Sequence, residues 1–231
     1  MNDFIFTSYC FDNAAAGGDY YAQQIRLKES ILKIYPDANL HFIHEPEEIG
    51  KPRFQKSLYG FKVQLIRECL AKRFEKIIFF DTSITLQNKI AYWFDIIDKY
   101  GILSIGDDQL LKNAISDKCR KDFGIEIPDS WHLTGGSVYV FDFDNDLCKR
   151  IFETWAEYER LGLFGTQKDF SDGRLGAHRM DETCMALSLY THKSSPLYYE
   201  VMKYGYQKPD REAITCSVPV SELIALKKHF K

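Results

Sequence analysis

The chain has 231 residues, 45% of them hydrophobic and 27% charged, a balance that excludes intrinsic disorder and a membrane-embedded bundle. A formal net charge of -3 supplies no basic face for a nucleic-acid backbone, so the expected partner is a small molecule. Aromatic residues reach 15%, with 14 Tyr and 17 Phe, enough to fill a core or to stack on the rings of a ligand. The early apolar stretch Phe4-Ile5-Phe6 is too short for a signal segment and no run approaches spanning length, which predicts a soluble, cytoplasmic protein. Cys10, Cys69, Cys119, Cys148, Cys184 and Cys216 show no C-x-x-C spacing and read as reduced thiols, not as a disulfide framework or a zinc site.

In chain order, Asp3 to Tyr9 is an apolar, β-prone run that stops at the turn-forming stretch Asp12 to Gly18. Asp19 can cap a helix carrying Ile25, Leu27, Ile31, Leu32 and Ile34, which Pro36 ends. A strand over Asn39 to His44 follows, then a helix bearing Leu58, Phe61, Leu65, Cys69 and Leu70. Next comes the apolar strand Ile77-Ile78-Phe79-Phe80, which stops abruptly at Asp81. This alternation predicts an α/β fold with a mixed, mainly parallel sheet flanked by helices. Asn88 is placed to cap a helix over Ile90, Trp93, Phe94 and Ile97, and Gly101 to Ile105 reads as the next strand. Gly135-Gly136 precede the strand-like Ser137 to Phe141, an amphipathic helix spans Leu147 to Tyr158, and a further helix starts near Asp181. No linker or repeat divides the chain, so one domain is expected over 1–231, with a nucleotide-binding half to about residue 105 and an acceptor half after it. The stretch from Pro196 to Lys231 has no clear pattern.

The strongest local signal is Asp81, an acidic side chain at the carboxyl end of a buried strand, because open α/β sheets bind ligands just beyond those ends. A carboxylate fixed there can take a ribose hydroxyl or a divalent cation, or it can simply close a turn. Asp181 opens a helix among His178, Arg179 and Glu182, where it can serve as an N-cap or as a positioned base for a hydroxyl.

Taken together, these pieces resemble a GT-A fold nucleotide-sugar glycosyltransferase, a bacterial or viral type of sugar transferase. The resemblance rests on Tyr59-Gly60-Phe61-Lys62, on Ile77 to Ile84 where the family has its D-x-D strand, on Trp131 to Phe141 as the acceptor-side strand, and on Ala177-His178-Arg179-Met180-Asp181-Glu182. It implies transfer of a sugar from a nucleotide-sugar donor, a UDP-sugar foremost, to a hydroxyl acceptor on a glycan. It further implies that Thr7, Ser8, Tyr9, Lys62, Asp81 and Ser83 bind the donor, that Trp131, Gly135, Gly136, His178 and Arg179 line the acceptor side, and that Asp181 is the catalytic carboxylate. Asp81 would hold Mn²⁺ or Mg²⁺, with His192 the nearest histidine to complete the site. The sequence departs from the family at Ser83, which replaces the second acid of D-x-D and offers only a neutral hydroxyl to a metal. Two other readings follow from the residues: a nucleotide-sugar-binding protein without catalysis, and a sugar-nucleotide nucleotidyltransferase. The second is disfavoured because the Ala14 to Gly18 loop carries no Lys or Arg for a triphosphate.

Overall fold

The computed structural model describes residues 3–11, 20–45, 59–115, 124, 127–128, 131–165, 180–192 and 214–216. The opening apolar run forms β1 (Phe4–Phe11), whose side chains are buried on both faces, as a central parallel strand requires. The chain continues through α1 (Tyr20–Ile34), β2 (Asn39–Glu45), α2 (Phe61–Ala71), β3 (Lys76–Phe80), β4 (Ile84–Leu86), α3 (Ala91–Tyr100) and β5 (Ile102–Leu110). A single 3-10 turn at Leu111–Asn113 leads toward β6 (His132–Asp142), α4 (Asp146–Arg160), α5 (Met180–Thr191) and β7 (Ile214–Cys216).

The main sheet has the order β2-β1-β3-β6-β5. Strand β1 is parallel to β2 and to β3, whereas β6 is antiparallel to β3 and to β5, so β6 alone runs against the other four strands. This is the mixed, mainly parallel sheet that the alternation of elements predicts. Strands β4 and β7 form a separate antiparallel pair.

Strand periodicity of two sorts the core into layers. Ile5, Ile77, Phe79, Tyr139 and Phe141 point to one face, where Val63, Ile66 and Cys69 of α2, Phe152 and Trp155 of α4, and Cys184 and Leu187 of α5 cover them. Phe4, Phe6, Ile78, Phe80, Val138 and Val140 point to the other, under Leu27 and Ile31 of α1 and Trp93 and Ile97 of α3. The first two crossovers thus pass on opposite faces, and they diverge at β1. A crevice outside the carboxyl ends of β1 and β3 is the consequence, because no helix covers both sides of that junction.

Local chemistry sets the ends of the helices. Asn145 caps α4, its Oδ1 accepting the amides of Leu147 at 2.9 Å and Cys148 at 3.4 Å. Helix α3 ends on Gly101 at φ +79°, and a Cβ there would lie 2.6 Å from Asn145 Cγ, so both conformation and space demand glycine. Several expectations shift by a few residues. Ile90, not Asn88, is the N-cap of α3, and no side chain caps it. Gly135 and Gly136 lie inside β6, which begins earlier, at His132, and Thr7 and Ser8 sit in mid-strand because β1 runs on to Phe11. Among the described residues no helix is long and apolar enough to cross a membrane. Cys10, Cys69, Cys148 and Cys184 are buried thiols outside any disulfide, and burial pushes the Cys69 thiol up to about 11.

Candidate functional site

The carboxyl end of β3 delivers Asp81 to the crevice. Its amide still bonds Ser137 O at 2.9 Å, which prolongs the β3–β6 ladder by one residue, and Ile84 N–H then donates to Asp81 O at 3.1 Å to close a turn. The Asp81 side chain keeps 37% of its surface exposed at this edge. Asp81 thus stands at the carboxyl end of the strand, and its backbone closes a turn there.

Beside it stands Lys62, in the first turn of α2 and 1% exposed. Its ammonium donates to Gly136 O at 2.7 Å and to Asp181 Oδ2 at 2.8 Å, and it lies 3.8 Å from Asp81 Oδ1. The rings of Tyr59, Phe79 and Tyr139 wall it in, with centroids 5.1, 5.2 and 5.5 Å away. Burial alone would lower the Lys62 pKa, but the Asp181 and Asp81 carboxylates outweigh it and hold the ammonium above its ordinary 10.5. Lys62 is therefore a permanent charge fixed by protein atoms on nearly every side.

Asp181 lies in the first turn of α5 and is 3% exposed. Its Oδ2 accepts from Lys62 and also from the Tyr139 hydroxyl at 3.2 Å, and its backbone carbonyl accepts the Trp155 indole N–H at 3.0 Å. Burial pushes the Asp181 carboxyl up, and Lys62 pulls it back. Burial likewise raises Asp81 against the pull of Lys62, and raises the Tyr139 phenol well above 10, so that group stays a donor. Glu182 is partly exposed, and its Oε1 accepts Gly136 N–H at 3.0 Å.

Gly136 owes its place to a defect in the ladder. The register between β5 and β6 jumps from Ser104↔Tyr139 to Gly106↔Thr134, so β6 carries extra residues there and bulges. The bulge turns Gly136 toward the site, where a Cβ would come within 2.8 Å of Glu182 Oε1 and 3.1 Å of Lys62 Nζ. Only glycine admits both side chains at that distance.

The structure thus brings together Lys62, Asp81, Gly136 and Asp181 from four separate elements, and adds Tyr139, which the sequence did not single out, and Glu182, which the sequence marked only as a neighbour of Asp181. A strand-borne tyrosine looks like core filling, and only the position of Asp181 reveals its second role. Of the other predicted residues, Ser83 lies in the turn after Asp81 and Gly135 precedes Gly136 in β6. Thr7 Oγ1 donates to His41 O at 2.9 Å, and the fully buried Ser8 hydroxyl has no hydrogen-bond partner. Tyr9 stacks on Phe61 at 4.5 Å and donates to Glu45 Oε2 at 2.8 Å, so its ring packs against protein. Trp131 is 8% exposed and stacked face to face on Tyr190 at 3.6 Å, which covers one face of the ring that was expected to meet a sugar. His178 and Arg179 lie outside the described residues.

His192 cannot share a metal with Asp81. It follows the last residue of α5 while Asp181 lies in the first turn, about 16 Å away at roughly 1.5 Å per residue, and its Nε2 is 2.6 Å from Thr154 Oγ1. Burial, aided by the charge of Arg150, lowers the His192 pKa. Among the described residues no group of three His, Cys, Asp or Glu side chains is arranged to hold a metal ion. Among the described residues, the Asp81 turn offers Mn²⁺ or Mg²⁺ one carboxylate, Asp81, which already faces an ammonium, and the neutral Ser83. That donor set does not fit a hard divalent cation.

No protein-family model and no curated protein sequence matches the chain. Solved structures similar to it include a glycosyltransferase involved in the glycosylation of the major capsid of PBCV-1 (12% identity, 76% of this chain and 78% of that one, TM-score 0.44). Others are the galactosyltransferase LgtC in complex with donor and acceptor sugar analogs (11% identity, 93% and 87%, TM-score 0.44) and mouse xyloside xylosyltransferase 1 in its apo form (10% identity, 81% and 82%, TM-score 0.46). The likeness is one of architecture, a mixed α/β sheet flanked by helices.

Proposed function

We propose that the protein is a glycosyltransferase that moves a sugar from a nucleotide-sugar donor, a UDP-sugar foremost, to a hydroxyl group of a glycan acceptor. The observation that carries this reading is the walled-in Lys62 ammonium, held by Asp181 and Gly136 O and facing Asp81 at the carboxyl edge of β3. A fixed cation beside an accessible carboxylate, at the point where the crossovers diverge, suits a ligand that carries both hydroxyls and anionic oxygens.

In this reading the bond from the anomeric carbon to the diphosphate oxygen breaks with its electron pair going to the diphosphate, and the acceptor oxygen bonds to that carbon. The acceptor proton passes to a carboxylate. Lys62 stabilises charge in the donor, and Asp81 binds a donor hydroxyl. Asp181, whose Oδ2 already takes two donors, acts as the positioning residue for Lys62, and the partly exposed Glu182 is the carboxylate nearer the acceptor. No step is assigned to a metal.

The test is release of nucleoside diphosphate from a panel of UDP-, GDP- and dTDP-sugars, with and without mono- and oligosaccharide acceptors. Turnover of one donor that falls by on the order of a hundredfold in Glu182→Gln supports the proposal. Donor binding without turnover in the unmodified protein would leave a binding protein instead, and no binding of any donor would end the reading.

A further inference from the structure

A second basic side chain of note lies on the opposite helix layer. Arg26 belongs to α1 and is partly buried, and its Nε and Nη2 atoms are enclosed with no hydrogen-bond partner. A guanidinium is charged at any working pH, and enclosing its nitrogens without an acceptor is costly. Such a group is satisfied when an anion arrives.

Two contacts fix what lies beside it. Ser30 Oγ accepts Leu86 N–H at 3.0 Å, and five residues on, Tyr35 OH accepts Ile90 N–H at 2.8 Å. The segment from Leu86 to Ile90 therefore descends along α1 toward the helix C-terminus. Followed the other way, from Leu86 back through Ile84 to Ser83, it climbs toward the helix N-terminus, and Arg26 stands one turn above Ser30 on that side. As the crossover between parallel strands, α1 runs against them, so its N-terminal half lies at their carboxyl edge. Arg26 and the Asp81-Thr82-Ser83 turn thus approach the same edge from two layers.

We propose that Arg26 binds the diphosphate of the donor, its planar fork supplying the positive charge that a metal held by a second acid would bring if Ser83 were an aspartate. This rests on the nucleotide-sugar reading for the identity of the anion, but the site itself is a polyphosphate site. The fork geometry suits two phosphate oxygens at once, which an ammonium cannot match.

Calorimetric titration in excess EDTA tests it, with UDP, inorganic pyrophosphate and uridine as probes against the unmodified protein, Arg26→Ala and Arg26→Lys. The expected result is that UDP and pyrophosphate bind the unmodified protein without metal, that Arg26→Ala weakens both by roughly tenfold to a hundredfold, that Arg26→Lys recovers part of the loss, and that uridine does not distinguish the three. Melting temperatures add an independent readout. Removing an unpartnered enclosed cation leaves the melting temperature unchanged or higher, whereas a clear fall with unaltered UDP affinity assigns Arg26 to a pairing within the chain and overturns the proposal. Equal pyrophosphate binding by Arg26→Ala also overturns it, as does an unmodified protein that binds neither UDP nor pyrophosphate. Pyrophosphate binding that depends on Arg26 while UDP and other nucleotides fail to bind would retain the anion site and remove the nucleotide-sugar reading.

Discussion

Replacing Lys62 by methionine leaves an unbranched apolar side chain one heavy atom shorter and removes the ammonium with its charge and its hydrogen bonds to Gly136 O and Asp181. Asp181, with 4% of its side chain exposed, would then keep the Tyr139 hydroxyl as its sole described side-chain donor, with Asp81 repelling it. Breaking a buried pair from one side costs about 3–5 kcal/mol, which for a chain of this size lowers the melting temperature by roughly 6–20 °C. Adding Asp181→Asn removes the orphaned charge, so the double variant should recover at least about 2 kcal/mol relative to the sum of the two single losses. The pH dependence follows from the signs. Lys62 is held above 10.5, so its contribution is complete below that pH and is lost only as pH rises through the folded value. In Lys62→Met, burial pushes the unpaired Asp181 carboxyl further above 3.8. An acid with a raised folded pKa destabilises progressively as pH rises past its ordinary value, so the deficit should be smallest near pH 4 and largest near pH 7. Urea unfolding of the four proteins at both pH values measures this. Additive losses, or a deficit that does not change with pH, would refute the buried-pair argument.

Gly136→Ala should cost about 1–3 kcal/mol and lower donor affinity, because its Cβ would strike Glu182 and press on Lys62 at 3.1 Å; unchanged urea midpoint and affinity would show that the bulge can yield. Tyr139→Phe removes one hydrogen bond to Asp181 and should cost about 1 kcal/mol, a loss that must vanish when Asp181→Ala, which leaves no acceptor, is also present. Asp81→Asn sits at an exposed strand end, so stability should move by no more than about 0.5 kcal/mol while UDP-sugar affinity falls roughly tenfold, and normal affinity by calorimetry would return Asp81 to a turn-closing role. His192→Ala should leave any response of donor binding to Mn²⁺ unaltered, since His192 follows the far end of α5 from Asp181; a lost response would contradict that placement.

The order of strands and helices was legible because buried parallel strands are written as unbroken apolar runs, Ile77 to Phe80 above all, and such a run specifies both element and edge. Asp81 was readable for the same reason, as the first polar residue after the run. Lys62 was harder. A lysine on a helix is ordinarily a solvated charge, and the partner that buries it lies 119 residues away, beyond the reach of any local pattern. Gly135-Gly136 announced a special backbone, but whether it opened a strand or bulged one depends on the register with β5. An aromatic ring near a site has the same sequence appearance whether it meets a ligand or another ring, so the stacking of Trp131 on Tyr190 and of Tyr9 on Phe61 was not readable in advance. Among the described residues short β4 and β7 pair with each other alone, and three residues carry no periodicity to detect.

The long separation between Lys62 and Asp181 also governs how the chain can fold. Closing so long a loop costs entropy that only the finished contacts repay, and sealing Lys62 among its three rings before α5 arrives would strand a charge in apolar surroundings. The layer of β1, β3 and α2 can therefore assemble early, but it cannot close. Only the docking of α5 against α4 and β6 completes it, and that same step creates the site. Partly folded chains would then lack the site altogether, and ligand binding would report on the last long-range contact to form.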